Sequence, residues 1–198
     1  MKKLLFISFT VLGLSLVTAQ SDAGEFTLAP QIGVNFSIYS SEASYDARTS
    51  LAIGVIGEYY FSDRWSLRSG LLYDSMGAKD GFDNVDKLNY LTIPLNANWH
   101  FGKNRNWFLN FGPAIAILMN AESDLSDGSS IDIKDFIANT DIGLTLGIGH
   151  KFDISDNFQL SIDYQGFRGI INIDKDNNLP YDIRNSRDSF NIGGIFKL

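Results

Sequence analysis

Two histidines are the side chains in this sequence best suited to acid–base chemistry near neutral pH. They are His100 and His150, and the chain contains no cysteine, which excludes disulfides and thiol chemistry. His100 lies close to Lys103, but no serine stands at a spacing diagnostic of a nucleophile–histidine pair. We therefore predict that both histidines are structural, that no residue is catalytic and that the protein is not an enzyme. Because a triad is recognised by geometry rather than by chain order, a lipid-modifying enzyme stays an alternative.

Six charged side chains are better explained as a structural polar network. They stand on the small, polar phase of segments in which apolar and polar residues alternate: Glu58, Arg68, Asp74, Asp141, Lys151 and Asp163. Glu58 and Arg68 are equidistant, within one residue, from the short segment Ser62–Arg64, so they should face each other on neighbouring strands. Inside a closed interior these charges must pair or hold water, because an isolated buried charge is very costly. We predict no cofactor and no metal ion in this network.

The elements that position these side chains are eight segments with an apolar residue at every second position. Side chains alternate faces along a strand, so each segment is predicted to be a β-strand with one apolar face. The segments are Phe26–Ile38, Leu51–Phe61, Trp65–Tyr73, Leu91–Phe101, Trp107–Met119, Phe136–Ile148, Phe158–Tyr164 and Phe190–Leu198.

The connections between these strands alternate in length. Short turns are predicted at Ser62–Arg64, Gly102–Asn106 and Asp153–Asn157, and long polar loops at Ser41–Thr49, Lys79–Asp86, Ala121–Asp135 and Asp174–Asp188. Short turns on one side and long loops on the other are typical of outer-membrane barrels, whose long loops face outward from the cell. The predicted fold is therefore all-β: an eight-stranded antiparallel up-and-down transmembrane β-barrel.

Alternation alone also fits a soluble, lipocalin-like lipid binder, which has its apolar phase inside. Three features favour the membrane version: aromatic residues cluster beside the short turns, the polar phase is rich in glycine, and its charges have both signs. The interior of an eight-stranded barrel is narrow enough for side chains to fill it. We therefore predict a filled lumen, and a narrow channel stays the alternative.

The N-terminal residues 1–19 have the pattern of a secretory signal peptide, and residues 20–198 are assigned to the barrel. Lys2 and Lys3 precede the apolar stretch Leu4–Leu16, which is followed by small residues up to Ala19. Removal of this segment makes the net charge of −7 two units more negative, because it contains two lysines and no acidic residue. Such an acidic chain is not expected to bind nucleic acid.

The long loops carry most of the excess negative charge. Three to five acidic residues fall in each of the last three loops, and Asp174-Lys175-Asp176 begins a faint calcium-loop pattern. That pattern lacks the glycine and the glutamate at its sixth and twelfth positions. We interpret these loops as solvated, with calcium bridging to lipopolysaccharide phosphates as a weaker hypothesis.

Three stretches carry a resemblance to a known family. They are Tyr90–Leu95, with its Ile-Pro-Leu core, the glycine-rich Asp141–Gly149, and Phe190–Gly194 near the end of the chain. With them the whole mature chain resembles the outer-membrane β-barrel family common in Bacteroidetes, often labelled PorT-like. The resemblance implies a location in the outer membrane of a Gram-negative bacterium. The named member of this family is tied to protein secretion and gliding.

The partners expected for such a barrel are outer-membrane lipids, the barrel assembly machinery and an unidentified protein at the cell surface or in the periplasm. Barrels of this type usually end in an aromatic residue that the insertion machinery recognises. This chain ends in Phe196-Lys197-Leu198, so Phe196 is predicted to serve instead. We expect a monomer.

Overall fold

The computed structural model describes residues 23–198, and the predicted signal peptide of residues 1–19 lies outside this part of the chain. The described residues form ten strands and one short 3-10 helix at Lys134–Phe136. In chain order the strands are β1 (Phe26–Ser40), β2 (Asp46–Tyr60), β3 (Trp65–Met76), β4 (Ala78–Lys79), β5 (Val85–Phe101), β6 (Trp107–Asp124), β7 (Ser130–Asp132), β8 (Thr140–Ser155), β9 (Phe158–Gly169) and β10 (Arg184–Lys197). Within residues 23–198, no helix has the length and apolar character needed to cross a membrane.

The eight long strands close into one antiparallel barrel. Each long strand pairs with the long strands before and after it in the chain, and β1 pairs with both β2 and β10. The short strands β4 and β7 only extend the sheet at the loop end. Ile32, for example, lies opposite Ile53 on one side and Ile192 on the other. Closure leaves no long strand with an unpaired edge. The predicted eight-stranded, antiparallel, up-and-down fold is confirmed.

The apolar phase of every long strand lies on the outside of the barrel. Leu51 is 62% exposed and Leu144 is 57% exposed, whereas their neighbours on the other phase face inward and are buried, as Ala52 and Thr145 are. A barrel in water would have the opposite arrangement, because so large an apolar surface is stable only against lipid. The alternative of a soluble, lipocalin-like barrel is therefore excluded.

Aromatic side chains form a continuous row on the outer face beside the short turns. Trp65, Trp99, Phe101 and Trp107 follow one another with ring centroids 5.0 to 6.4 Å apart, and His150 extends the row with its ring 4.7 Å from Trp107. Amphipathic rings concentrate where hydrocarbon meets water. The row therefore marks the edge of the lipid belt on the turn side.

Glycines on the inner phase make room for two large rings. A Cβ atom on Gly149 would lie 2.7 Å from Cε1 of Phe108, and one on Gly143 would lie 2.6 Å from Cζ of Phe167. Both distances are shorter than any tolerated carbon contact, so only glycine fits at these positions. The glycines of the inner phase thus leave the space that these rings need in order to fill the lumen.

The strands extend further toward the loop end than the hydrophobic alternation predicts. β2 begins at Asp46, β6 continues to Asp124 and β10 begins at Arg184, all within predicted loops. The sixth segment was predicted from Phe136, but β8 begins at Thr140, and Phe136 belongs to the 3-10 helix. Beyond the lipid belt the outer face becomes polar while the backbone ladder continues, so the alternation ends before the strand does.

Candidate functional site

The turn-side half of the lumen is organised around one buried carboxylate, Glu58. Its Oε1 accepts hydrogen bonds from Ser66 Oγ at 2.5 Å and from Asn98 Nδ2 at 2.6 Å, and lies 2.7 Å from His100 Nε2. Its Oε2 lies 3.5 Å from the ammonium of Lys151. These side chains are almost completely shielded from solvent. A carboxylate with this many donors and one cation is compensated for its loss of hydration.

Ser66, His100 and Glu58 are residue types of an acyl-transfer triad, but their arrangement is not that of a triad. In a working triad the serine contacts one ring nitrogen and the carboxylate contacts the other. Here Ser66 Oγ and Glu58 Oε1 both contact Nε2 of His100, at 3.0 and 2.7 Å. Sequence reasoning missed Ser66 because it stands on β3 opposite Asn98 of β5, a relation that only strand register reveals.

The middle of the lumen is crossed by an ion pair between strands that are not neighbours. Arg68 on β3 lies directly opposite Glu58 in register, yet its guanidinium lies 3.4 Å from Asp163 on β9. Asp163 also accepts a hydrogen bond from Asn191 at 2.9 Å. The guanidinium of Arg68 stacks over the ring of Phe108, 5.1 Å from its centroid. This pair ties opposite walls of the barrel together.

A second pair crosses the lumen closer to the loops. Arg187 on β10 contacts Asp74 on β3 at 2.9 Å, and both side chains are buried. Asp141 accepts a hydrogen bond from Asn185 Nδ2 at 2.9 Å, so its partner is an amide rather than a cation. Arg187 and Asn185 were missed because both fall in the segment predicted as the last long loop.

All six predicted network residues therefore face the lumen and are buried, but they form three separate groups along its axis. Glu58 and Lys151 belong to the turn-side group, Arg68 and Asp163 to the middle one, and Asp74 with Asp141 to the loop-side level. Cavities of about 20 and about 10 Å³ lie among these groups. Each has room for about one water molecule.

Toward the loops the lumen also contains a large apolar cluster, whereas the sequence predicts a polar lumen. The large side chains of this cluster form what we call the plug: Tyr39, Met76, Leu88, Tyr90, Leu118, Phe167, Ile173 and Ile183. Most belong to the inner phase of the strands, close to the loop end. The signal was present in the sequence as large apolar residues on a phase that is otherwise small and polar.

Two loops fold over the plug and pair with each other. We call residues 130–138 and 174–182 the cap. Ala138 N donates to the carbonyl of Ile173 at 2.8 Å, and Lys175 N donates to the carbonyl of Phe136 at 3.0 Å. An isolated β-bridge joins Ile137 and Asp174. The cap is thus held by backbone hydrogen bonds and is continuous with the apolar plug below it.

The acidic loop residues bind their own backbone. Asp80 Oδ1 accepts hydrogen bonds from Phe82 N at 2.8 Å and Asn84 N at 2.9 Å. Desolvation raises the pKa of Asp80, but the side-chain and backbone donors of Asn84 and Phe82 outweigh it and hold that pKa below its usual value. Across residues 23–198, no group of three or more His, Cys, Asp or Glu side chains is arranged to hold a metal ion.

A closed barrel with a lipid-facing outer surface, an aromatic rim and a packed interior defines a small outer-membrane β-barrel protein. The model of the outer membrane protein beta-barrel domain family matches residues 18–174. The chain belongs to this family, and its place is the outer membrane of a Gram-negative bacterium. Comparison with curated protein sequences gives no significant match.

Solved structures of small outer-membrane barrels superpose on nearly the whole chain. OprG from Pseudomonas aeruginosa is 14% identical with a TM-score of 0.57, covering 91% of this chain and 98% of OprG. Neisserial surface protein A is 19% identical with a TM-score of 0.54, covering 87% and 97%. Ail from Yersinia pestis, solved with the heparin analogue sucrose octasulfate, is 15% identical with a TM-score of 0.50, covering 88% and 99%. At these identities the likeness shows the fold alone.

Proposed function

We propose that this protein is a monomeric structural and interaction protein of the outer membrane, neither a pore nor an enzyme. The observation that carries the proposal is the packed lumen, in which ion pairs and the plug leave cavities of about 20 and 10 Å³ beside the polar groups. A hydrated ion needs a continuous water path, and spaces that each hold about one water molecule are too small to provide one. The surfaces that can bind a partner are then the cap and the loops at the cell surface and the short turns in the periplasm.

Single-channel recording of the purified full-length protein in planar lipid bilayers tests the closed lumen. The expected result is no unitary conductance from protein that is shown to be folded by its heat-dependent shift on a gel. Reproducible conductance steps would instead establish the narrow channel and overturn the proposal.

The enzyme alternative is tested by mass spectrometry of lipid A from cells that express the wild-type protein or His100→Ala. We expect identical lipid A in both strains and in cells without the protein, because Ser66 is fully buried and shares Nε2 of His100 with Glu58. A change in lipid A acylation that requires His100 would contradict this expectation.

The side of the membrane on which the partner binds can be determined by photo-crosslinking in intact cells. A photoreactive residue in place of Phe82, which is 79% exposed in a loop, captures partners at the cell surface. A photoreactive residue in place of Asp63, whose side chain is 71% exposed in a short turn, captures partners in the periplasm. We propose that the chain belongs to the PorT-like group, on the basis of the sequence stretches quoted above. Membership in that group favours a secretion-related partner at the turn side. Adducts at neither position would contradict an interaction role.

We also propose that β10 is the signal for the barrel assembly machinery. Phe196 pairs with Leu28 on β1 and with Phe158 on β9, so the end of β10 forms part of the closing seam. Deletion of Phe196–Leu198 is expected to reduce outer-membrane insertion. Undiminished insertion of the deletion variant would refute this role.

A further inference from the structure

A cavity of about 340 Å³ lies between the cap and the plug, at the outer end of the barrel. Five isoleucines line it: Ile131, Ile133 and Ile137 from the cap above, and Ile173 and Ile183 at its base. Ligand pockets in proteins usually measure about 300–1,000 Å³ and are mainly apolar with a few polar groups. This cavity has the size and the lining of such a pocket.

The cavity faces the outside of the cell and is closed toward the lumen. At its base Ile173 is 1% exposed, because it packs into the plug. At its rim Phe136 is 61% exposed, Ile131 is 47% exposed and Leu179 is 41% exposed. Large apolar side chains gathered around a concave, water-accessible surface mark an interaction site more often than a packing defect.

Two carboxylates give the cavity its polarity. Among the residues that line it, Asp86 and Asp174 are charged, and no lysine or arginine is present. Asp86 Oδ2 accepts a hydrogen bond from Tyr39 OH at 3.1 Å, and Asp174 Oδ2 accepts one from Leu179 N at 2.8 Å. Neutral donors fix the carboxylates in place without cancelling their charge. An anion would be repelled from this wall, whereas a cation would be attracted.

We propose that this cavity is a binding site for a small amphiphile with a hydrocarbon body and a primary ammonium group. The isoleucine walls take the hydrocarbon part, and Asp86 and Asp174 accept charge-assisted hydrogen bonds from the ammonium. A fatty acid or an alkyl phosphate has the same body but the wrong charge for this site.

Isoleucine-methyl NMR of the full-length protein in phosphatidylcholine nanodiscs tests the proposal with hexylammonium as the probe. The five cavity isoleucines should show saturable shifts, while Ile32 and Ile53 on the lipid face of the barrel should not. Hexylammonium should bind at least about ten-fold more tightly than hexanol, the factor that one charge-assisted hydrogen bond contributes. Hexanoate should bind more weakly than either.

Two variants separate the apolar and the charged parts of the site. Leu179→Trp fills the cavity from its exposed rim and should abolish the shifts without unfolding the barrel. The double variant Asp86→Asn and Asp174→Asn keeps acceptors for Tyr39 and Leu179 but removes both charges, so it should bind hexylammonium and hexanol equally. Asp132→Asn neutralises an exposed acid of the cap that does not line the cavity and serves as the matched control.

Three results would overturn the proposal. The first is the absence of saturable shifts in the cavity methyls of wild-type protein. The second is equal shifts in cavity and lipid-facing methyls, which means that the probe only partitions into the bilayer. The third is a preference for hexylammonium that survives the double substitution, or one that Asp132→Asn removes to the same extent.

Discussion

Neutralising Glu58 by substitution with glutamine should destabilise the barrel strongly although the shape of the side chain is kept. Glutamine still accepts hydrogen bonds from Ser66 and Asn98, so the change removes mainly the charge that faces Lys151. Unit charges 3.5 Å apart attract by about 5 kcal/mol at an effective dielectric constant of about 20. Removal of one member of a buried pair typically costs about 3–5 kcal/mol, since the other charge stays buried. We expect a loss of that size in the free energy of unfolding.

Equilibrium unfolding in urea from phospholipid vesicles, followed by tryptophan fluorescence, measures this loss. The three tryptophans, Trp65, Trp99 and Trp107, all lie on the outer face of the aromatic rim and pass from lipid into water on unfolding. They do not contact the substituted site, so the signal reports on the whole barrel rather than on the local change.

A double-mutant cycle with Lys151→Met identifies the source of the effect. Each single variant should lose about 3–5 kcal/mol, but the double variant should lose only about 1–2 kcal/mol, because it leaves no unpaired charge. Asp182→Asn, which breaks the exposed pair of Asp182 with Arg184 at 2.6 Å, should have no measurable effect. Single losses below about 1 kcal/mol, or strictly additive ones, would refute the account of a buried, coupled pair.

Three further predictions concern the lipid face, the lumen packing and the cap. Leu144→Arg places a charge in lipid near mid-strand and should cost about 2–4 kcal/mol in the same unfolding assay, whereas Thr145→Ser, on the inner face, should be nearly silent. Gly149→Ala forces a methyl group against Phe108 and should cost about 1–3 kcal/mol. Burial, and then a hydrogen bond to Tyr181 of the cap, raises the pKa of Tyr45 to about 12. The contribution of Tyr45 to cap stability should therefore be lost as the pH rises from about 10 to about 12, and proteolysis of the cap measures this loss.

Controls decide each of these predictions. Equal effects of Leu144→Arg and Thr145→Ser would mean that the two faces are assigned wrongly. Gly81→Ala, at a loop position with no atom within 4 Å of the added carbon, should be neutral, and a cost equal to that of Gly149→Ala would contradict the packing argument. Tyr45→Phe should remove the alkaline transition, because the unfolded state then has no proton to lose at this position; an unchanged transition would exclude Tyr45 as its cause.

The strands and their faces could be predicted from the sequence because lipid imposes a strict period of two on every strand that crosses it. The position of Glu58 opposite Arg68 followed in the same way, by counting from the turn between β2 and β3. The choice of partners could not be predicted. Lys151 and Asp163 reach Glu58 and Arg68 from across the lumen, and the distance between strands that are not neighbours depends on the tilt and stagger of the closed barrel.

The loop end could be predicted least, for a related physical reason. Outside the lipid belt the outer face of a strand no longer has to be apolar, so β10 starts at Arg184 without any change in hydrophobic pattern, and the sequence predicts a loop at Arg187. The plug was missed because residues such as Met76 and Phe167 contradict the polar assignment of their phase. Their apolar character follows from the cap, which shields them from water and is formed by chain segments far away in the sequence.

The central claim, that side chains fill the lumen, is tested most directly by thiol accessibility, because the natural chain contains no cysteine. Thr145→Cys places a thiol near the middle of the lumen, where Thr145 is 5% exposed, and Ser129→Cys places one on an exposed loop. In intact outer membranes, a water-soluble methanethiosulfonate reagent should modify Ser129→Cys fully and leave Thr145→Cys unmodified until the protein is unfolded. Rapid modification of Thr145→Cys in the folded protein would show a water-filled path through the barrel and contradict the account.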